Sequence, residues 1–345
     1  MKGNTIMNYK QINIVRKYSG NPILTPADVP FPAAQVYNAG ITKFNGKYVM
    51  IFRDDYGRYE EDFRKQREIS LQTGEPYRWP PNTKITLGLA FSDDGFHWDV
   101  QPKPCLELET EEIAHIYDPR LTVIDGRCYL CFAVNTRHGV LGGIAVTDDF
   151  EHFEYLTMTT PDNRNMVLFP EKIDGKFMRL ERPFPVYSRA GDEEFDIWCS
   201  KSPDCRYWGE SKLLLGAENV PYANSKIGPA APPVKTEKGW LTTIHAVQKV
   251  QEELYSWHPD WHKIYYGGLI LLDLEDPMKI IGMSKEPILV PEHEYETKGM
   301  RGSVMFPGGM ILEDSGEVKI YYGAADTVEC VATADAADLL KLCGV

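Results

Sequence analysis

The sequence predicts an all-β protein, a five-bladed β-propeller forming a single domain over residues 1–345. Three observations predict it. A unit of strand, glycine-containing turn and strand, followed by a third strand, occurs five times in succession. The units follow one another at intervals of roughly 50 to 70 residues, which suits propeller blades. In the first three units the third strand runs into a similar turn, Ser92-Asp93-Asp94-Gly95, Thr147-Asp148-Asp149-Phe150 or Ser202-Pro203-Asp204-Cys205, each followed by an aromatic residue. There the Asp makes the bend and the aromatic is expected to pack between blades.

The first unit opens with residues 38–44, turns at Asn45-Gly46 and returns over 47–53. An Asn-Gly pair between alternating apolar runs is a strong hairpin signal. Its third strand is expected over 86–91. The second unit reads 118–124, a turn at Asp125-Gly126, 127–134 and 143–146, and the third reads 165–170, a turn at Asp174-Gly175, 176–180 and 195–200. The fourth is 228–235, Lys238-Gly239, 240–247 and 266–274; the fifth is 302–313, Ser315-Gly316, 317–323 and 328–333. A weaker fourth strand is expected after each third strand. The insertion 56–83, with its charged run over 60–67, and the tail 334–345 are expected to be helical.

Composition limits what such a propeller does. With 345 residues, 43% hydrophobic and 25% charged, the chain can bury a large core. Its net charge of -13 argues against binding nucleic acid or an anionic membrane, both of which require a basic face. Residues 1–20 contain no apolar run long enough for a signal peptide, and the longest later run, 269–272, is far short of a membrane span. A soluble, cytoplasmic protein is expected. The seven cysteines are odd in number and scattered, and Cys128-x-x-Cys131 has no second pair, so no metal site is expected.

The innermost strands of a propeller converge on one axis, so polar residues near their starts share a pocket. Those residues are Asn38, Arg53 and Asp54 in the first unit, and Tyr117, Asp118 and Arg120 in the second. The third unit supplies Asn163, Arg164, Asn165, Arg179, Glu181 and Arg182, the fourth Lys226 and His245, and the fifth Arg301 and Asp326. In an acidic protein this is a concentration of cations. Arg164, Arg182, Lys226 and His245 together would hold a small, multiply charged anion, because guanidinium forks match phosphate oxygens and Lys adds a point charge.

These stretches carry a resemblance. Asn38-Ala39-Gly40, Phe52-Arg53-Asp54, Tyr117-Asp118-Pro119-Arg120, Asn163-Arg164-Asn165, Leu180-Glu181-Arg182-Pro183, Ser225-Lys226-Ile227-Gly228 and Ile244-His245 occur in order across nearly the whole chain. In this the chain resembles the glycoside hydrolase family 130 mannoside phosphorylases. The resemblance implies an inverting reaction in which inorganic phosphate attacks C1 of a terminal β-mannoside, giving α-mannose 1-phosphate and a shortened acceptor. It also implies that Asp118 is the sole catalytic carboxylate, acting through the mannose 3-hydroxyl, and that Arg164, Arg182, Lys226 and His245 bind phosphate. Phosphate is then a co-substrate, no cofactor is needed, and a homo-oligomer, trimer or hexamer, is expected.

The residue types agree with that chemistry. An inverting hydrolase needs a second carboxylate to activate water, whereas phosphate arrives already anionic and needs fixed positive charge to hold it in line. Asn38, Arg53, Asp54 and Asp326 are candidates for the mannose subsite, with Tyr117 and Arg120 flanking the acid. On the acceptor side, Trp257 or Trp261 in the aromatic segment 255–262 would stack on a sugar ring, and either insertion would serve as a lid or a subunit interface. His258 and His262 are four apart, but Pro259 between them disfavours a zinc-binding helix. The expected substrate is a β-1,4-mannooligosaccharide, with mannosyl-glucose, mannosyl-N-acetylglucosamine and β-1,2-mannobiose as alternatives. A mannosidase using water and a non-catalytic carbohydrate-binding propeller are the competing classes.

Overall fold

In the computed structural model, which describes residues 9–81, 83–185 and 195–345, five antiparallel sheets are arranged around an axis. Residues 1–8, read for a leader, and residue 82 of the insertion lie outside the described residues. Blade 1 comprises Gln35–Phe44, Lys47–Tyr56, Lys84–Ser92 and Asp99–Val100; blade 2 comprises Ile113–Ile124, Arg127–Thr136, Gly139–Thr147 and Glu154–Met158. Blade 3 runs Asn163–Leu168, Phe177–Pro183, Ile197–Ser202 and Gly209–Leu215. In blade 4 the inner strand is split by Ala230-Ala231-Pro232-Pro233 into Lys226–Pro229 and Val234–Lys235, before Trp240–Lys249, Lys263–Leu272 and Ile280–Met283. Proline has no N–H to give the ladder, which accounts for the break.

Blade 5 supplies only three strands in sequence, Met305–Leu312, Glu317–Ala324 and Val328–Asp335. Its fourth comes from the other end of the chain, where Arg16 and Lys17 pair with Thr333 and Ala332. The ring is thus closed by hydrogen bonds between the N-terminal segment and the last blade. Across the junction of blades 5 and 1, Glu313 accepts from Lys43, Tyr48 and Lys319, a second fastening.

The turns form as their residues dictate. Asn45-Gly46, Asp125-Gly126 and Asp174-Gly175 all have positive φ at both positions, as a two-residue hairpin of type I′ requires. In the repeated third-strand turn, Asp94 Oδ1 accepts the amides of Phe96 and His97, and Asp149 and Asp204 do the same in their blades, so these elements are structural. Apolar clusters fill the seams between neighbouring blades, for example Val49 with Leu130 between blades 1 and 2 and Val167 with Ile244 between blades 3 and 4.

The insertion holds a helix, Glu60–Thr73, ended by Gly74 at φ 71°. It is anchored by Phe63, which is buried against the rings of Trp79 and Trp257. The tail forms the helix Ala336–Leu342.

Candidate active site

One irregularity of the inner strands creates the site. In blades 1, 2 and 3 the register slips by a bulge, and the residue at the slip is Asn38 (φ 53°), Asp118 (φ 52°) or Asn165 (φ 58°). Asn and Asp tolerate this left-handed conformation better than other residues with a Cβ, and a bulge re-aims the side chain it carries. All three line one cleft at the mouth of the channel. Arg53, Tyr117, Arg164, Arg182, Lys226, Trp261, Tyr265, Arg301, Val304, Phe306 and Asp326 complete the wall.

Asp118 sits at the base. Asn38 Nδ2 donates to its Oδ1 at 3.0 Å, and Arg53 Nη1 lies 3.6 Å from the same oxygen. Burial alone would raise the carboxyl's pKa, but the charges of Arg53, Arg120 and Arg164 and the Asn38 bond outweigh it and hold the group below its ordinary value. Arg53 is itself fixed: Nε and Nη2 donate to the two oxygens of buried Asp55 at 2.6 and 2.7 Å, and the guanidinium lies over the Tyr37 and Tyr117 rings.

On one side of Asp118 stand Arg164, Arg182 and Lys226. Among the described residues none of the three is paired with a carboxylate. Arg164 Nη1 donates to the Tyr117 hydroxyl at 3.4 Å and its guanidinium lies over Phe184. Arg182, 2% exposed, has Nη1 3.0 Å from His245 Nε2. Burial and then Arg164 push the Arg182 guanidinium down to about 9. Burial first, then Arg182 and Arg164, hold the Lys226 ammonium well below its ordinary value. The same causes, with Lys226 and Arg120, keep His245 neutral, so its Nε2 accepts from Arg182. Crowded, desolvated, uncompensated cations of this kind are what a bound polyanion would relieve. On the other side, Arg301 Nη1 donates to Asp326 Oδ2 at 2.9 Å, and its guanidinium lies between the Trp79 and Trp261 rings.

A family model described as β-1,4-mannooligosaccharide phosphorylase, that of glycoside hydrolase family 130, matches residues 16–344. The chain belongs to this family. A β-1,2-mannobiose phosphorylase from Listeria innocua is 31% identical to it over 92% of this chain and 94% of the relative. A β-1,4-mannooligosaccharide phosphorylase from Ruminococcus albus is also 31% identical, over 93% of this chain and 88% of the relative. The solved Listeria innocua β-1,2-mannobiose phosphorylase, in complex with β-1,2-mannobiose, superposes with a TM-score of 0.78 at 28% identity, covering 96% of this chain and 99% of that one.

Of the residues expected in the pocket of this family 130 chain, Asn38, Arg53, Tyr117, Asp118, Arg164, Asn165, Arg182, Lys226, Arg301 and Asp326 meet there. Six expected residues do not line it: Asn163, Arg179 and Glu181 pair among themselves in blade 3, and Asp54, Arg120 and His245 stand behind the wall. Asp54 is fully buried on the strand face opposite Arg53, where Oδ2 accepts from Thr86 Oγ1 at 3.1 Å and burial raises the carboxyl to about 7. Residues 53 and 54 are adjacent on a strand, so they cannot both face the cleft. Arg120 is 2% exposed and spends its donors on backbone carbonyls beneath the acid. His245 is fully buried under Arg182 and reaches the cleft only through it.

Tyr265 lines the cleft although it was not in the expected set. Asn165 shares its bulge position with Asp118, a signal that the alignment of inner strands carries. Tyr265 has no such signal: it starts a third strand and is aligned between His245 and Trp261 by ring stacking. Trp261 lines the cleft, whereas Trp257 is committed to Phe63. The insertion therefore packs against the 255–261 segment that borders the cleft. No group of three metal-ligating side chains occurs among the described residues.

Proposed function

We propose that the protein catalyses inverting phosphorolysis of terminal β-mannosides, giving α-mannose 1-phosphate. The observation that carries this reading is the arrangement of a single bulge-borne carboxylate, Asp118, beside Arg164, Arg182 and Lys226, cations with no carboxylate partner among the described residues. A phosphate oxygen forms the new bond to C1 while the bond from C1 to the glycosidic oxygen breaks. The departing electron pair takes a proton supplied from Asp118 through the sugar 3-hydroxyl, and the hydrogen of the incoming monohydrogen phosphate restores it. Arg164, Arg182, Lys226 and Tyr265 bind the anion, with His245 orienting Arg182 from behind. Asn38, Arg53, Arg301 and Asp326 grip mannose hydroxyls, and Trp261 faces the acceptor.

The unliganded site favours ionised Asp118, and the acid form is needed. A bound phosphate dianion offsets the same cations that depress the carboxyl, so binding of one substrate raises the acid to its working state. Phosphate is the co-substrate and no cofactor takes part.

The proposed substrate is a β-1,4-mannooligosaccharide, as the description of the matching family model reads. A second reading, β-1,2-mannobiose, is favoured by the likeness to the Listeria innocua enzyme over almost the full length of both chains. The proposed setting is the cytoplasm: all seven cysteines are unpaired, which suits a reducing compartment. No helix among the described residues is long and apolar enough to cross a membrane. A homo-oligomer, trimer or hexamer, belongs to the same proposal, supported by the exposed Ile69 and Leu71 of the inserted helix.

The test is proton NMR of the first-formed product from a panel of β-1,4- and β-1,2-linked mannosides in phosphate buffer. α-Mannose 1-phosphate is expected, and the fastest substrate names the linkage. A β-configured product or free mannose would refute the reading.

A further inference from the structure

Two buried side chains outside the cleft lining converge from below on the bulge that carries Asn38. Arg120 lies at the propeller axis and donates to four backbone carbonyls: Nε to Ala230 at 2.6 Å, Nη1 to Asn38 at 3.1 Å and Pro119 at 2.6 Å, and Nη2 to Pro307 at 3.2 Å. Those carbonyls belong to blade 4, blade 1, blade 2 and blade 5. The strands come this close because glycines face the axis: a Cβ on Gly308 would stand 2.0 Å from the Ala39 carbonyl oxygen, and one on Gly40 2.7 Å from Arg120 Cα.

Glu329, fully buried on the third strand of blade 5, takes the other side of the bulge. Its Oε2 accepts the Ala39 amide at 3.1 Å, and its Oε1 has no partner among the described residues. Burial lifts this carboxyl to about 8, against the pull of the Ala39 and Asn38 amides and of Arg120. A buried acid with an unpartnered oxygen is costly to a fold, and the strands around it would pack as well around an apolar side chain.

We propose that Glu329 and Arg120 are positioning residues for the reaction. One holds the Ala39 amide and the other the Asn38 carbonyl, so that Asn38 keeps its left-handed backbone and its Nδ2 stays on Asp118 Oδ1. Neither is a catalytic residue: Glu329 acts through Asn38, and Arg120 acts through Asn38 and through its charge beside Asp118.

The inference rests on the phosphorylase reading, and its test separates the two. Phosphorolysis rates are measured for wild type, E329A, N38A and the double variant, and a crystal structure of E329A is determined. E329A is expected to lower kcat about tenfold, since small misplacements at a reacting centre cost up to about a hundredfold. Its KM for phosphate should stay within about twofold, and in the N38A background the same substitution should cost no more than about twofold further, the signature of two residues acting as one. E329Q keeps an oxygen for the Ala39 amide and should rescue most of the loss. If E329A does not fold, E329D, which withdraws the carboxylate by one methylene, is read in the same way. Multiplying losses in the double variant would overturn the inference. So would an E329A structure in which Asn38 keeps its left-handed φ and its contact with Asp118. An inactive wild type would refute the phosphorylase reading instead, while the Asn38 geometry would still decide this one.

Discussion

Replacing Arg182 with Met should separate function from stability with opposite signs. The guanidinium is buried beside Arg164 and Lys226, has no carboxylate partner among the described residues and leaves Nε unpartnered. One of its five donors serves His245, leaving four, of which a bidentate grip on phosphate uses about two. Hydrogen bonds to charged groups contribute about 1.5–3 kcal/mol each. Losing two of them costs about 3–6 kcal/mol, which is roughly a hundredfold to ten-thousandfold in kcat/KM for phosphate. Removing an uncompensated buried charge, by contrast, relieves a repulsion of about 1–4 kcal/mol, offset by about 1 kcal/mol for the acceptor lost at His245. The unliganded R182M protein should therefore unfold at or above the wild-type temperature. Wild type should gain several degrees from added phosphate, and the variant should gain almost nothing. Initial rates against phosphate concentration and thermal scans with and without phosphate make the comparison. A variant with wild-type KM for phosphate and a sharply lowered Tm would refute the reasoning and make Arg182 a structural residue.

Other perturbations test other links. D118N keeps the size and the acceptor oxygen for Asn38 but cannot supply a proton, so turnover should fall about a hundredfold to ten-thousandfold with an unchanged Tm; near-normal turnover would remove Asp118 from its role. Because phosphate offsets the cations that depress Asp118, the basic limb of kcat should lie at higher pH than that of kcat/KM. Coincident limbs, measured over a pH series, would contradict the substrate-raised acid. At the junction of blades 5 and 1, bonds from Lys43, Tyr48 and Lys319 hold the Glu313 carboxyl down at about 2. Its folded value is depressed, so its stabilisation is present above the ordinary Glu value of about 4.3 and is lost as pH falls toward the folded one. The Tm deficit of E313Q should accordingly be full at pH 7 and should shrink below about pH 4. A deficit independent of pH would mean that the carboxylate charge does not fasten the ring.

Much of the architecture was legible because each blade's hairpin is written in local chemistry. Asn45-Gly46, Asp125-Gly126 and Asp174-Gly175 mark turns whose left-handed pairs are now explicit. The closing strand was not legible, since Arg16 and Lys17 form two residues of ladder with no pattern of their own and depend on blade 5 for their existence. At the site, residue type located the cations and the acid, but type alone does not say which way a side chain points. Asp54 could have been excluded by strand alternation from Arg53, whereas Arg120 lies just past a bulge, where alternation fails. His245 was placed beside the cations correctly and one layer too far forward, because Arg182 covers it. Tyr265 joins the cleft through tertiary packing that pairs blade 4 with the 300–304 segment, a juxtaposition without a sequence motif.

The most direct measurement is a time course of mannoside cleavage with and without inorganic phosphate, following mannose, mannose 1-phosphate and free phosphate together. The account predicts no cleavage without phosphate and, with it, one α-mannose 1-phosphate formed per phosphate consumed. Release of free mannose at a rate indifferent to phosphate would contradict it, and the cations around Asp118 would then require a different explanation.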